Sequence, residues 1–201
     1  MTLGAAKFTF MLIIALGVFF ARKMAVSKRD WAFLALAFVA TLGADFFLLV
    51  VPNYILGVVI FCFAHIFYAL RFGGMRILKL LPLALILPTI SIFALNDALL
   101  TAAIMYMSFF IISYSAMIYA VKKKKYGFPN NILIFAGMTL FVLCDIFVAI
   151  FNLGGMGHVP HNVSEFAVDA IWLFYAPSQI CLMLSGINFE QNRVPIGNGT
   201  L

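Results

Sequence analysis

The sequence predicts an all-α polytopic membrane protein, a helix bundle with about seven transmembrane helices, its N-terminus outside and its C-terminus cytoplasmic. Three observations carry this. Of 201 residues, 65% are hydrophobic and 10% are charged, far from the near-half apolar and quarter charged make-up of soluble domains. The apolar runs reach the roughly 20 residues that a bilayer crossing needs. The lysines and arginines fall in alternate breaks between those runs. In lipid every backbone polar group must be paired within its own segment, so such runs are helices.

The first run, 5–21, carries Lys7 near its start and is closed directly by Arg22 and Lys23 with no small-x-small cleavage site, so it reads as a retained helix rather than a signal peptide. The second, 31–51, ends at Pro52-Asn53, and the third, 54–71, at Gly73-Gly74. The fourth, 77–95, contains Pro82 and Pro88 and stops at Asn96-Asp97. The fifth, 98–121, runs into Lys122 to Lys125, then Gly127 and Pro129. The sixth, 130–151, leads to a loop from Gly154-Gly155 through Pro160, and the seventh spans 165–187. One transmembrane domain, 1–190, and a short cytoplasmic tail, 191–201, account for the chain.

Orientation follows from the basic residues. Arg22, Lys23, Lys28 and Arg29 lie in the first loop, Arg71, Arg76 and Lys79 in the third, Lys122 to Lys125 in the fifth and Arg193 in the tail, with Lys7 alone on the other side. Strict alternation makes those loops cytoplasmic and places the protein in the cell membrane. The net charge of +6 is spread over short loops rather than gathered on a soluble face, which argues against nucleic acid. Cys62, Cys144 and Cys181 lie within apolar runs, where a thiol behaves as a small hydrophobe, so neither a disulfide framework nor a CxxC metal site is expected. His158 and His161, with His65 and Asp45, raise a zinc hydrolase as an alternative, but histidines beside a loop proline are commoner than ligands, and no metal or cofactor is expected. A retinal-type receptor needs a lysine in a late span, and the sixth and seventh contain none.

Ionisable groups within spans are costly and mark function by default. Asp45, Asp145, Asp169 and His65 qualify. The second and sixth spans run in the same direction, and Asp45 and Asp145 each lie six residues before the outer end, about 9 Å below it. His65 and Tyr68 share one face of the third span. On the seventh, Asp169, Trp172, Tyr175 and Gln179 form a stripe that should face the bundle interior. Packing alone can also explain a buried aspartate, hydrogen-bonded across helices for about 1 kcal/mol. Asp45-Phe46-Phe47 and Asp145-Ile146-Phe147 stand one hundred residues apart, too short a match to establish a repeat.

Four segments in order resemble one family. The stretch Thr41-Leu42-Gly43-Ala44-Asp45-Phe46-Phe47-Leu48, with Gly57 and Phe63-Ala64-His65-Ile66-Phe67-Tyr68, is similar to the paired aspartate and histidine helices of the YhhN, or lysoplasmalogenase-like, membrane proteins. Gly137 to Asp145 resembles that family's second aspartate helix, and Tyr175-Ala176-Pro177-Ser178-Gln179 its closing Tyr-x-Pro-x-Gln helix. Family members usually look eight-spanning, with one more N-terminal helix. One helix fewer turns the N-terminus outside, as the charge pattern does.

The resemblance implies hydrolysis of the vinyl ether bond of lysoplasmalogen-type lipids to a fatty aldehyde and a glycerophospho-alcohol. Asp45 and Asp145 would be the acid and base, in an order left open. His65, Tyr68, Asp169, Trp172, Tyr175 and Gln179 would hold the lipid or the water. Such chemistry needs a carboxylic acid that keeps its proton near neutral pH and a second carboxylate to orient water. Two alternatives stay open: a proton-coupled transporter of a lipid or small solute, and a non-catalytic membrane scaffold.

Overall fold

The computed structural model describes residues 3–95, 97–155 and 157–189; the tail from 191 onward, with Arg193, lies outside the described residues. The elements are α1 (Leu3–Phe20), α2 (Lys28–Asp45), α3 (Tyr54–Gly73), α4 (Leu81–Ala84), α5 (Ile86–Leu95), α6 (Ala98–Lys122), α7 (Asn130–Gly155) and α8 (His161–Leu184). Side-chain oxygens set three starts by accepting from orphan N–H groups. Ser27 accepts from Asp30, Asn53 from Leu56 and Asp97 from Leu100. Among the described residues, six helical segments are long and apolar enough to cross a membrane. Large apolar side chains on their outer faces stay open, as with Phe20 at 81% and Phe93 at 85% exposure, which suits lipid rather than water as the surrounding medium.

The fourth span differs from expectation. In place of one helix over 77–95, the chain makes a 3-10 turn over Gly74–Lys79, then α4, a break at Leu85, and α5. Pro82 and Pro88 sit in the first turns of these two pieces, where a missing N–H is tolerated. The apolar helical stretch Leu81–Ala94 rises only about 21 Å, short of the roughly 30 Å hydrocarbon core. It nonetheless recrosses the bundle. His65 of α3 meets Tyr106 and Ser113 of α6, and later along both helices the carbonyl of Arg71 meets Lys125 just beyond the end of α6. Thus α3 and α6 run parallel, and the chain between them must return.

All eleven basic residues Arg22, Lys23, Lys28, Arg29, Arg71, Arg76, Lys79 and Lys122 to Lys125 gather at one end of the bundle, and Lys7 lies at the other. The first and last described helical ends, Leu3 and Leu184, lie at opposite ends. That asymmetry is what the expected orientation rests on.

Arg71, expected in an open loop, instead lies in the last turn of α3 as a fully enclosed side chain, 2% exposed. Its Nε donates to both carboxylate oxygens of Asp30 at 3.1 Å, and its Nη2 to Oδ2 at 2.9 Å. Nη1 donates to Ser185 Oγ at 2.9 Å and Nη2 to the Ser185 carbonyl at 3.0 Å. Tyr126 donates to Asp30 Oδ1 at 2.7 Å, and Asn130 Nδ2 to the carbonyls of Ser185 and Ile187. One ion pair thereby ties together α2, α3 and the segments flanking α7 and α8. The α1–α2 connection closes over it, with Val26 N–H donating to Gly186 and Asn188 N–H to Met24.

Helices α7 and α8 form the most extensive pair, antiparallel and close where Ser178 Oγ donates to the Gly137 carbonyl at 2.8 Å. A Cβ at Gly137 would stand 2.8 Å from Leu182 Cγ and 3.2 Å from Cys181 Cβ. Gly137→Val should therefore cost about 1–3 kcal/mol by overpacking. A melting temperature in detergent unchanged from wild type would refute this account of the contact.

Candidate functional site

Two aspartates with a tyrosine each form the polar centre of the bundle. Asp45 is the last residue of α2 before a π-helical turn over Phe46–Val50; such turns widen a helix locally and recur at functional sites. Its Oδ2 accepts from the Tyr175 hydroxyl of α8 at 2.8 Å, and both side chains are buried. Asp145 of α7 accepts from the Tyr106 hydroxyl of α6 at 2.7 Å and retains partial exposure. Helix α7 extends to Gly155, so Asp145 lies ten residues from its end rather than six. The Phe141 ring packs edge-on against Tyr175 at 5.8 Å and lies 5.3 Å from the ring of His65, which in turn bonds to Tyr106. The two dyads thus share one neighbourhood.

His65 is fully buried and uses both ring nitrogens within the protein. Nδ1 lies 3.0 Å from Ser113 Oγ and Nε2 lies 3.0 Å from Tyr106 Oη. Phe110 and Tyr106 pack against the ring at 4.8 and 5.0 Å. Ser113 Oγ also reaches the Phe110 carbonyl at 2.8 Å. The chain Ser113, His65, Tyr106, Asp145 admits two fully satisfied proton arrangements. With Asp145 ionised, Ser113 donates to Nδ1, Nε2–H to Tyr106, and Tyr106 to the carboxylate. With Asp145 protonated, the acid donates to Tyr106, Tyr106 to Nε2, Nδ1–H to Ser113, and Ser113 to Phe110. A change in the histidine tautomer lets Asp145 gain or lose a proton without leaving any of these groups unpaired.

Around Asp45 the pairing is incomplete. Thr41 Oγ1, Tyr68 Oη and both amide atoms of Gln179 are buried with no protein partner. Thr41 precedes Asp45 by one turn of α2, and Gln179 follows Tyr175 by one turn of α8, which runs the other way. Both therefore lie one turn closer to the basic end than the Asp45–Tyr175 pair. Tyr68 adjoins this layer, since its ring sits 6.3 Å from that of His65. Buried polar atoms without partners are rare in native proteins and mark places that hold water or a ligand.

The α8 stripe does not face the interior along its whole length. Asp169 is exposed, Trp172 is half-buried, and Tyr175 and Gln179 are buried. Helical spacing keeps the four on one face, but that face descends from the open rim to Asp45. Lys7 of α1 places its ammonium 4.8 Å from the Trp172 ring centre and interacts with Asp169. The loop histidines lie apart from this site and exposed, with His161 Nδ1 3.5 Å from Glu165 Oε2; among the described residues no three His, Cys, Asp or Glu side chains converge as a metal set.

Tyr106, Ser113, Thr41 and Lys7 were not among the residues predicted to form the site. Tyr106 and Ser113 are seven apart on α6 and so share a face, but that face is recognisable only once His65 lies against it. A family model described as the YhhN family matches residues 4–186 of the chain. No curated protein and no solved structure matches it.

Proposed function

The chain belongs to the YhhN family of helical membrane proteins, and from that premise we propose that it is a membrane-embedded hydrolase of the vinyl ether bond in lysoplasmalogen-type lipids. The observation that carries this reading is the pair of tyrosine-bound aspartates beside a layer of unpartnered buried polar groups. A vinyl ether is cleaved when a proton is delivered to its outer alkene carbon. The resulting oxocarbenium ion takes up water at the carbon attached to oxygen, while a base receives the proton from that water. The hemiacetal then breaks its carbon–oxygen bond to the glycerol, releasing a fatty aldehyde and the glycerophospho-alcohol. One acid and one carboxylate suffice, positioned against a single bond.

Asp145 suits either half of that cycle, because the Tyr106–His65–Ser113 chain matches it in both protonation states. Asp45 is the second carboxylate, held by Tyr175. The polar atoms of Thr41, Tyr68 and Gln179 offer partners to the water or the glycerol oxygens. Asp169 and Trp172, at the open end of the α8 face, would meet the headgroup.

The deciding experiment is aldehyde release by detergent-purified protein from a lysoplasmalogen, beside its saturated ether analogue and with EDTA in a parallel run. Release from the alkenyl lipid alone, indifferent to EDTA, is the expected result. No release from folded protein across several headgroups would overturn the hydrolase and favour transport, read as proton-coupled flux in liposomes with the solute unchanged. Within this scheme Tyr106→Phe leaves the chain to Asp145 broken. Turnover should fall about tenfold or more, the equivalent of roughly 1–3 kcal/mol for an unsatisfied buried group, and its pH profile should shift. An unchanged rate and profile would remove the relay from the mechanism.

A further inference from the structure

We propose that the basic end carries a second, non-catalytic site, a cavity that binds the phosphate of an anionic lipid headgroup. A cavity of about 390 Å3 opens there, lined in part by Arg29, Phe33, Arg71, Tyr119, Lys125 and Tyr126. Its floor is electrically balanced, because the Arg71 guanidinium and the Asp30 carboxylate meet at 2.9 Å. Two cations above the floor have no such balance. Arg29 is exposed, and its guanidinium lies 5.7 Å from the Phe33 ring centre. Lys125 donates to the carbonyls of Arg71 and Phe72 at 2.7 and 2.9 Å, which leaves one of its three N–H donors. Counting Arg29, Arg71 and Lys125 against Asp30, the lining has a net charge of +2.

The surroundings strengthen that field. Eleven lysines and arginines stand at this end, and Asp30 is the one carboxylate there among the described residues. A concave site with apolar walls focuses such a potential on an anion. The walls also select an amphiphile over a bare ion: Phe33, Phe72 and the ring of Tyr119, which is 59% exposed, surround the cations. The cavity opens where the spans end, at the level of lipid headgroups, and basic pockets between transmembrane helices at that level are suited to anionic headgroups. At its edge the Gly73-Gly74 turn keeps the opening free of side chains; Gly74 has φ +73, and a Cβ there would stand 3.6 Å from Arg29 Nη2. Fifteen residues of α2 separate Asp30 from Asp45, about 22 Å along the helix, so this site is distinct from the aspartate centre and does not rest on the hydrolase reading.

A phosphate bridging Arg29 on α2 and Lys125 beyond α6 would join those helices across the end of α3, and its binding should read out as stability. The test uses purified full-length protein with phosphatidylglycerol, phosphatidylcholine or inorganic phosphate, followed by melting temperature and by native mass spectrometry of retained lipid. Phosphatidylglycerol should raise the melting temperature and remain bound. Arg29→Gln, an exposed change, should weaken apparent affinity about fivefold, and Arg29→Glu should weaken it further. An equal effect of phosphatidylcholine, an unaltered affinity in both Arg29 variants, or inorganic phosphate matching the lipid would each overturn the assignment.

Discussion

Asp45→Asn and Asp145→Asn should each lower aldehyde release by at least about a hundredfold, the lower end of what a positioned acid or base contributes. Asparagine preserves the shape of the carboxyl group and can still accept the hydrogen bond from Tyr175 or Tyr106. It cannot carry or receive the proton. Folding should therefore survive while chemistry fails, and a melting curve beside the assay separates the two. A folded Asp45→Asn protein keeping more than about a tenth of wild-type turnover would remove Asp45 from the proton steps. Unfolding of both variants would return the aspartates to a packing role, the scaffold alternative. His65→Gln should be milder, because glutamine offers a donor and an acceptor but cannot exchange them through a tautomer. Its effect should appear chiefly in the pH profile.

Removing either charge of the Asp30–Arg71 pair should cause the largest loss of stability. Both groups are buried, at 7% and 2% exposure, and every hydrogen bond that the Arg71 guanidinium makes goes to Asp30 or Ser185. Asp30→Asn leaves an uncompensated buried guanidinium, and Arg71→Met leaves a buried carboxylate with Ser185 stripped of two donors. Breaking one side of a buried pair typically costs about 3–5 kcal/mol. The double variant removes both charges together and should be less destabilised than the sum of the single changes. Unfolding in a denaturing detergent titration checks this. Single variants within about 1 kcal/mol of wild type would mean that the pair is solvated and does not clamp the bundle.

Lys125 lies just outside the spans, and burial lowers its pKa from the ordinary lysine range, the Asp30 charge opposing that shift. Its folded-state pKa is depressed, so the unfolded chain binds its proton more tightly. The ammonium is half-enclosed, and this contribution to stability is screened and small beside the ion pair.

Several features of the fold were legible because they depend on local composition. The helices over 54–71 and 98–121 appear close to the expected places, since a long apolar run in lipid has no other way to pair its backbone. The fourth span was less legible. Its two prolines were visible, but whether they kink a helix or divide it depends on the packing of α4 and α5 against α6. The stripe on α8 was correctly periodic, yet its exposure at Asp169 depends on what the neighbouring helices leave uncovered.

The sequence by itself determined a membrane helix bundle, the segregation of basic residues to alternate loops, and three aspartates and a histidine placed within spans. These follow from hydropathy and spacing, which are properties of single segments. Only the tertiary structure decided which groups meet. Tyr175 approaches Asp45 across 130 residues of chain, Tyr106 joins His65 to Asp145, and Asp30 finds Arg71 across 41. The reason is physical. A buried charge is stabilised by whichever donor the packing brings within about 3 Å, and packing is set by the side-chain shapes of several helices at once rather than by any one of them.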